Sequence, residues 1–129
     1  MSEEIRPLIE KAKRYLHSAA VLRAEGDYDS AASRLYYAMF YCATALLATK
    51  GFSYKTQRGI ISGFGQHLVK TGELPAAMHE WLREAFDKRQ HGDYMPLSEL
   101  EEQDVRDLQE KGEQFVQRTE AFLRERGLL

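Results

Sequence analysis

The chain has a single cysteine, Cys42. One thiol builds neither a disulfide framework nor a zinc cluster within one chain. Its place in an apolar helical stretch marks it as a buried structural thiol rather than a nucleophile. Proline is also scarce, at 3 residues in 129, and β-branched runs are missing. Ala, Leu, Glu, Arg and Lys dominate instead, which points to an all-α fold. The uncharged run from Leu35 to Thr49 is shorter than the ~20 residues that cross a bilayer. The acidic start Met1-Ser2-Glu3-Glu4 lacks a signal-peptide pattern, so a cytoplasmic protein with no membrane partner is expected. The four histidines, His17, His67, His79 and His91, never fall three or four residues apart. His79-Glu80-Trp81-Leu82-Arg83 begins like the zinc-protease H-E-x-x-H helix but ends in arginine. There is no Glu-x-x-His pair, no phosphate-cradling glycine loop and no Gly-x-Ser-x-Gly elbow. Neither a metal nor a cofactor is expected. A formal net charge of −2 excludes bulk polyanion binding by one monomer, and any nucleic-acid contact needs a local or dimer-made basic patch.

What is present is helix. Hydrophobic residues make up 43% and charged residues 29%, which suits one globular domain over 1–129. The stretch from Ala31 to Ala48 is almost wholly apolar or aromatic and holds one charge, Arg34. A helix apolar on nearly every face is a central one, so the other helices should pack around it, with Arg34 and several tyrosine hydroxyls in or near the core. Ala32, Tyr36, Met39, Ala43 and Leu46 form one face; Arg34, Tyr37, Ala38, Tyr41 and Ala45 form another. Apolar spacing predicts a first helix over 3–25, with Gly26 as its stop and Asp27 or Asp29 capping the next. The second helix spans about 28–50 and ends at Gly51. A third spans 56–71, weakened by Gly63 and Gly65 unless these permit close packing. The fourth spans 75–91 and is followed by a turn bracketed by Gly92 and Pro96. Ser98 and Glu101 match a capping box for a last helix over 99–126. Short connections between long amphipathic helices predict an up-and-down bundle of four main helices plus a shorter helix.

The polar candidates gather at the end of the fourth helix: Asp87, Lys88, Arg89, Gln90, His91, Asp93 and Tyr94. Arg89 continues the buried stripe of Ala85 and Phe86. Paired with Asp93 it is a structural ion pair; alternatively Arg89 grips a phosphate and His91, oriented by Asp87, exchanges protons. Arg34 is expected to meet this end through Asp93, or else to lie at an exposed helix start beside a surface carboxylate.

The residues Ser33-Arg34-Leu35-Tyr36-Tyr37-Ala38-Met39-Phe40, Ala45-Leu46-Leu47, Gly51, Gly59-Ile60-Ile61, Phe64, Lys70-Thr71-Gly72-Glu73-Leu74-Pro75 and Arg89-Gln90-His91-Gly92-Asp93-Tyr94 resemble the HEPN family (higher eukaryotes and prokaryotes nucleotide-binding). The likeness runs from about residue 5 to 125 and is closest to the short stand-alone bacterial and archaeal branch. The resemblance implies a dimeric helical bundle. It also implies a ribonuclease toxin paired with a nucleotidyltransferase antitoxin, in which an arginine and a histidine four to six residues apart form a metal-independent site. Here the positions four to six beyond Arg89 hold Asp93, Tyr94 and Met95, and His91 is only two away. Gln57 stands where the branch often carries a histidine.

Metal-free proton transfer needs a group that exchanges protons near pH 7, so the expected function is a non-catalytic HEPN module of a toxin–antitoxin type system. It would bind a nucleotide or RNA through Arg34, Tyr37, Arg89, Asp93 and Tyr94. A metal-independent ribonuclease with Arg89 and His91 as catalytic residues is the alternative, and a helical dimeric assembly protein is a further one. The partners implied are a second copy of the chain, a nucleotidyltransferase, and an RNA or nucleotide ligand.

Overall fold

A computed structural model describes the backbone of residues 2–94 and 99–129, with side chains at 4–90 and 99–129. Five helices follow one another: α1 (Ser2–Ala24), α2 (Tyr28–Thr49), α3 (Gln57–Phe64), α4 (Ala76–Tyr94) and α5 (Glu102–Glu125). A π-helical turn, Gly65–Val69, continues α3. Among the described residues there is no strand. Four long helices and one short one make the expected all-α bundle.

The centre is α2, which touches α1, α3, the π turn, α4 and α5. Leu35, Tyr36, Met39, Cys42, Ala43, Leu46 and Leu47 are fully buried along it. They meet Ile5, Ile9, Ala12 and Ala19 of α1, Met78 and Leu82 of α4, and Phe115 and Leu123 of α5 in one core. Each fully buried aliphatic side chain of this kind contributes about 1.5–3 kcal/mol. Gly112 lets α5 come close: a Cβ there would stand 3.2 Å from Leu16 and 3.5 Å from Met39. Cys42 lies in this core, and burial pushes its thiol up to about 12, which fits the structural role read from the sequence.

The helix ends follow local chemistry. The Asp27 carboxylate accepts from the Ser30 amide at the start of α2, and the Thr56 hydroxyl accepts from the Gly59 amide at the start of α3. Gly51 closes α2 with φ +84°, a left-handed conformation that glycine adopts without steric cost.

Four details differ from expectation. The third helix does not run evenly to residue 71; it changes to i→i+5 bonding, with the Lys70 amide reaching the Gly65 carbonyl at 2.9 Å. The fourth helix continues to Tyr94 rather than stopping at 91, because one glycine lowers helix propensity by about 1 kcal/mol without forbidding helix. The box that opens the last helix joins Glu101 to Asp104, each side chain accepting from the other's backbone; Ser98 lies outside the described residues. Arg34 is exposed, not held in or near the core. The α2 flank that carries it is only partly covered by α1: Ser33, Tyr37, Phe40, Tyr41 and Thr44 on that side are half-buried.

Candidate functional site

The sites form where α3 and the end of α4 lie against the middle of α2. Three of the aromatic residues of α2, Tyr36, Tyr37 and Phe40, sit within about one turn and touch edge-on or tilted, with ring centres 5.0–6.1 Å apart. The Arg89 guanidinium lies over two of them, 5.1 Å from the Tyr37 ring centre and 5.8 Å from that of Tyr36. A cation over a ring face is attracted by the ring quadrupole, more strongly where water is partly excluded. Arg89 is half-buried, as its place on the α4 stripe predicted.

Gln57, the first residue of α3, ties the two phenols together. The Tyr36 hydroxyl donates to Gln57 Oε1 at 2.9 Å, and Gln57 Nε2 donates to the Tyr37 hydroxyl at 3.3 Å. Tyr37 accepts in this relay and keeps its own proton to donate. Burial, reinforced by the neighbouring Tyr37, raises the Tyr36 phenol above its ordinary range. Tyr36 is therefore a neutral donor. A guanidinium over a ring and the O–H which that ring carries are two kinds of donor that suit phosphate oxygens.

The aromatic row continues to α1. Tyr37 and Tyr41 lie 5.9 Å apart, and Tyr15 meets Tyr41 edge-on at 5.3 Å. Arg34 covers the Tyr15 ring at 4.7 Å, and Lys11 covers Tyr41 at the same distance. Burial and the Tyr15 hydroxyl together push the Tyr41 phenol up to about 12. Arg34 thus joins the site region through aromatic faces, and among the described residues no carboxylate pairs with it. Of the residues singled out from sequence, Tyr37 and Arg89 come together. Arg34 stands at the far end of the row. The side chains of His91, Asp93 and Tyr94 lie outside the described residues, and with them the expected Arg34–Asp93 contact.

Sequence reasoning missed what lies on the other side of Tyr36. The Phe86 ring tilts against Tyr36 at 5.5 Å, and the Arg58 guanidinium covers Phe86 at 5.0 Å. A cleft of about 360 Å³ opens there between α3 and α4, bounded by Arg58, Ile61, Ser62, His79, Arg83, Phe86 and Asp87. The signal was an i, i+4 row on each helix (Arg58 and Ser62 on one, His79, Arg83 and Asp87 on the other), visible only once the two helices are known to be neighbours. His79 anchors the cleft floor through Nε2, 3.0 Å from the Ile61 carbonyl, and burial holds its imidazole below the ordinary value. Among the described residues no group of three His, Cys, Asp or Glu side chains is placed to hold a metal.

The comparisons with known proteins agree with this architecture. The HEPN domain matches residues 5–122. A Methanocaldococcus jannaschii protein whose name marks it as a candidate toxin is 36% identical over 126 residues, which is 98% of this chain and 86% of that protein. A UPF0332 protein of Gloeobacter violaceus is 40% identical over 124 residues, 95% of this chain and 98% of its own length. A UPF0332 protein of Thermotoga maritima is 34% identical over 113 residues, 88% of this chain and 86% of its own. With the domain matched across nearly the whole bundle, the chain belongs to the HEPN family.

Proposed function

We propose that this chain is the HEPN toxin-like half of a toxin–antitoxin pair and that it binds RNA or a nucleotide at the Arg89–Tyr37 donor pair without cleaving it. The observation that carries the reading is the guanidinium of Arg89 held over Tyr36 and Tyr37, with Gln57 orienting both hydroxyls. Arginine and a phenolic proton grip a phosphate oxygen, and the half-buried rings of Tyr37 and Tyr41 offer faces on which unpaired bases stack. Phosphate contacts position a nucleic acid without reading its sequence, so the preference is for single strands rather than for a motif. The groups described at this platform are phenols and an amide, none of which exchanges protons readily at neutral pH; this favours binding over cleavage.

The protein works as a homodimer. The partly open flank of α2 supports this: Phe40 and Thr44 are half-buried in one copy, and C2 pairing over them, the usual way to cover such a face, leaves the Tyr37 and Tyr41 rings at the edge of the seam. The expected antitoxin is a nucleotidyltransferase. The toxin names carried by two relatives support the toxin-like half of this reading.

The test is fluorescence anisotropy with a labelled single-stranded RNA in excess chelator, read beside a gel for cleavage. Wild type should bind and leave the RNA intact, and Arg89→Ala should weaken binding about tenfold or more, the loss of one charge-assisted pair. RNA cut by wild type and spared by Arg89→Ala would establish the ribonuclease alternative, with His91 the next residue to replace. Binding unchanged in Arg89→Ala, with only a lower Tm, would make Arg89 structural and end the proposal. Co-purification with the product of the adjacent gene, followed by the mass of the chain, tests the nucleotidyltransferase partnership.

A further inference from the structure

We propose that the cleft between α3 and α4 is a second, separate binding site that takes a ribose phosphate, with the phosphate on Arg58 and Arg83 and a sugar hydroxyl on Asp87. The two helices face each other there with complementary rows. Arg58 and Ser62 lie one turn apart on α3; His79, Arg83 and Asp87 lie at successive turns on α4. Neither arginine has a carboxylate partner among the described residues. Most other cations near carboxylates are engaged: Lys88 and Lys111 with Glu84, Lys50 with Glu73, Lys13 and Arg124 with Glu120. Arg83 and Asp87 are four residues apart on one helix and still form no ion pair. Arg58, Arg83 and Asp87 are all exposed at the cleft rim, where a ligand can reach them.

The cleft is shaped by backbone as well as by side chains. A Cβ on Gly65 would fall 2.7 Å from His79 Cε1, so only glycine admits the imidazole at that depth. The helix departs from i→i+4 bonding at the same residue, and π turns inside helices recur at functional sites. His79 is turned to the Ile61 carbonyl, and the cleft lining itself carries Arg58 and Arg83 against Asp87; Glu80 acts on His79 from beside the cleft, so the pull on an anion is local to the two guanidinium groups. A phosphate answers the two guanidinium groups, each a planar set of donors, and the Ser62 hydroxyl adds another donor. A carboxylate repels a bare phosphate. It accepts well from a hydroxyl, and a ribose phosphate supplies both groups at once. A volume of about 360 Å³ lies at the small end of ligand pockets.

This site does not depend on the Arg89 platform, and the two can fail separately. The experiment is calorimetric titration of the full chain with uridine 5′-monophosphate, 2′-deoxyuridine 5′-monophosphate and uridine, alongside anisotropy with a 5′-phosphorylated oligouridylate. The variants are Arg83→Gln, Arg58→Gln, Asp87→Asn and Arg89→Gln, each checked by its melting curve. The expected result is binding of the nucleotide but not of uridine, weakened about tenfold or more by Arg83→Gln, as for loss of a charge-assisted contact. Asp87→Asn should reduce the preference for ribose over deoxyribose. Because the Arg89 platform also takes nucleotides in the reading above, these comparisons are made in the Arg89→Gln background, where mononucleotide binding should persist and keep its dependence on Arg83. The oligonucleotide arm separates sources: equal dependence on Arg83 for both probes assigns the cleft to an RNA 5′ end, and dependence for the mononucleotide alone assigns it to a nucleotide. Uridine binding as well as its phosphate, or Arg58→Gln and Arg83→Gln both binding like wild type in folded protein, would overturn the proposal.

Discussion

The two flanks of α2 differ in what covers them. On one, Leu35, Met39, Cys42 and Leu46 are fully buried against α1, α4 and α5. On the other, a turn of helix away, Tyr37, Phe40 and Tyr41 are half-buried and hold three cations, Lys11, Arg34 and Arg89, over the aromatic row to which they belong. One helix therefore supplies both the fold and its candidate site. A residue on the closed flank should matter to stability and little else, whereas a residue on the aromatic flank should matter to binding first.

The largest effect expected is on the closed flank. Met39→Ala should lower unfolding free energy by about 2–5 kcal/mol, the usual cost of truncating a buried side chain, seen as a lower denaturant midpoint with the same slope. A cost below about 1 kcal/mol would erase the contrast between flanks. Next is Gly65→Ala, which must displace the His79 ring. A loss of about 1–3 kcal/mol is expected, and the double variant with His79→Ala should recover part of it, because the clash partner is gone. Additive losses would show that the ring and the glycine are independent.

On the aromatic flank, Tyr37→Phe should leave thermal stability within about 0.5 kcal/mol and weaken RNA binding. A stability loss with unchanged binding would reverse the roles of the two flanks. The smallest effect is on pH dependence. Burial favours the neutral imidazole of His79 in the folded state, so its contribution is full above the unfolded value of about 6.5 and declines as pH falls below it. Replacing His79 with Gln should flatten the Tm-against-pH curve in that acidic window and leave it unchanged at pH 8.

Much of the fold was legible from the chain. The run from Ala31 to Ala48 identified the central helix, Gly26, Gly51, Gly72 and Gly127 all lie at positive φ at helix ends, and Asp27 caps where an N-cap was expected. Of the two places read for Arg34, the core was wrong because apolar spacing says which residues share a face, not how much of that face a neighbour covers; the exposed position was right, with the Tyr15 ring in place of a carboxylate. The capping box moved because Ser98-x-x-Glu101 and Glu101-x-x-Asp104 overlap, and a three-residue spacing does not choose between them. The π turn left no trace in the periodicity, since i→i+5 bonding over one turn displaces apolar positions by little. Arg89 and Tyr37 were found from the helix stripe and the family likeness. Arg58 was given no role, and His79 and Arg83 were read only against a metal motif, because each is unremarkable alone and they gather only when α3 folds against α4. Gln57 was noticed as a departure, but its bridging of two phenols needed coordinates.

The core thiol has an experimental use. Cys42 is the sole cysteine, it is fully buried, and its proton is held well beyond neutral pH. Only the thiolate is alkylated, and it forms only when α2 parts from its neighbours. A thiol reagent added to the native protein therefore acts as a stopwatch for opening of the bundle. It needs no engineered label, and ligands of either site can be compared by how long they keep that cysteine silent.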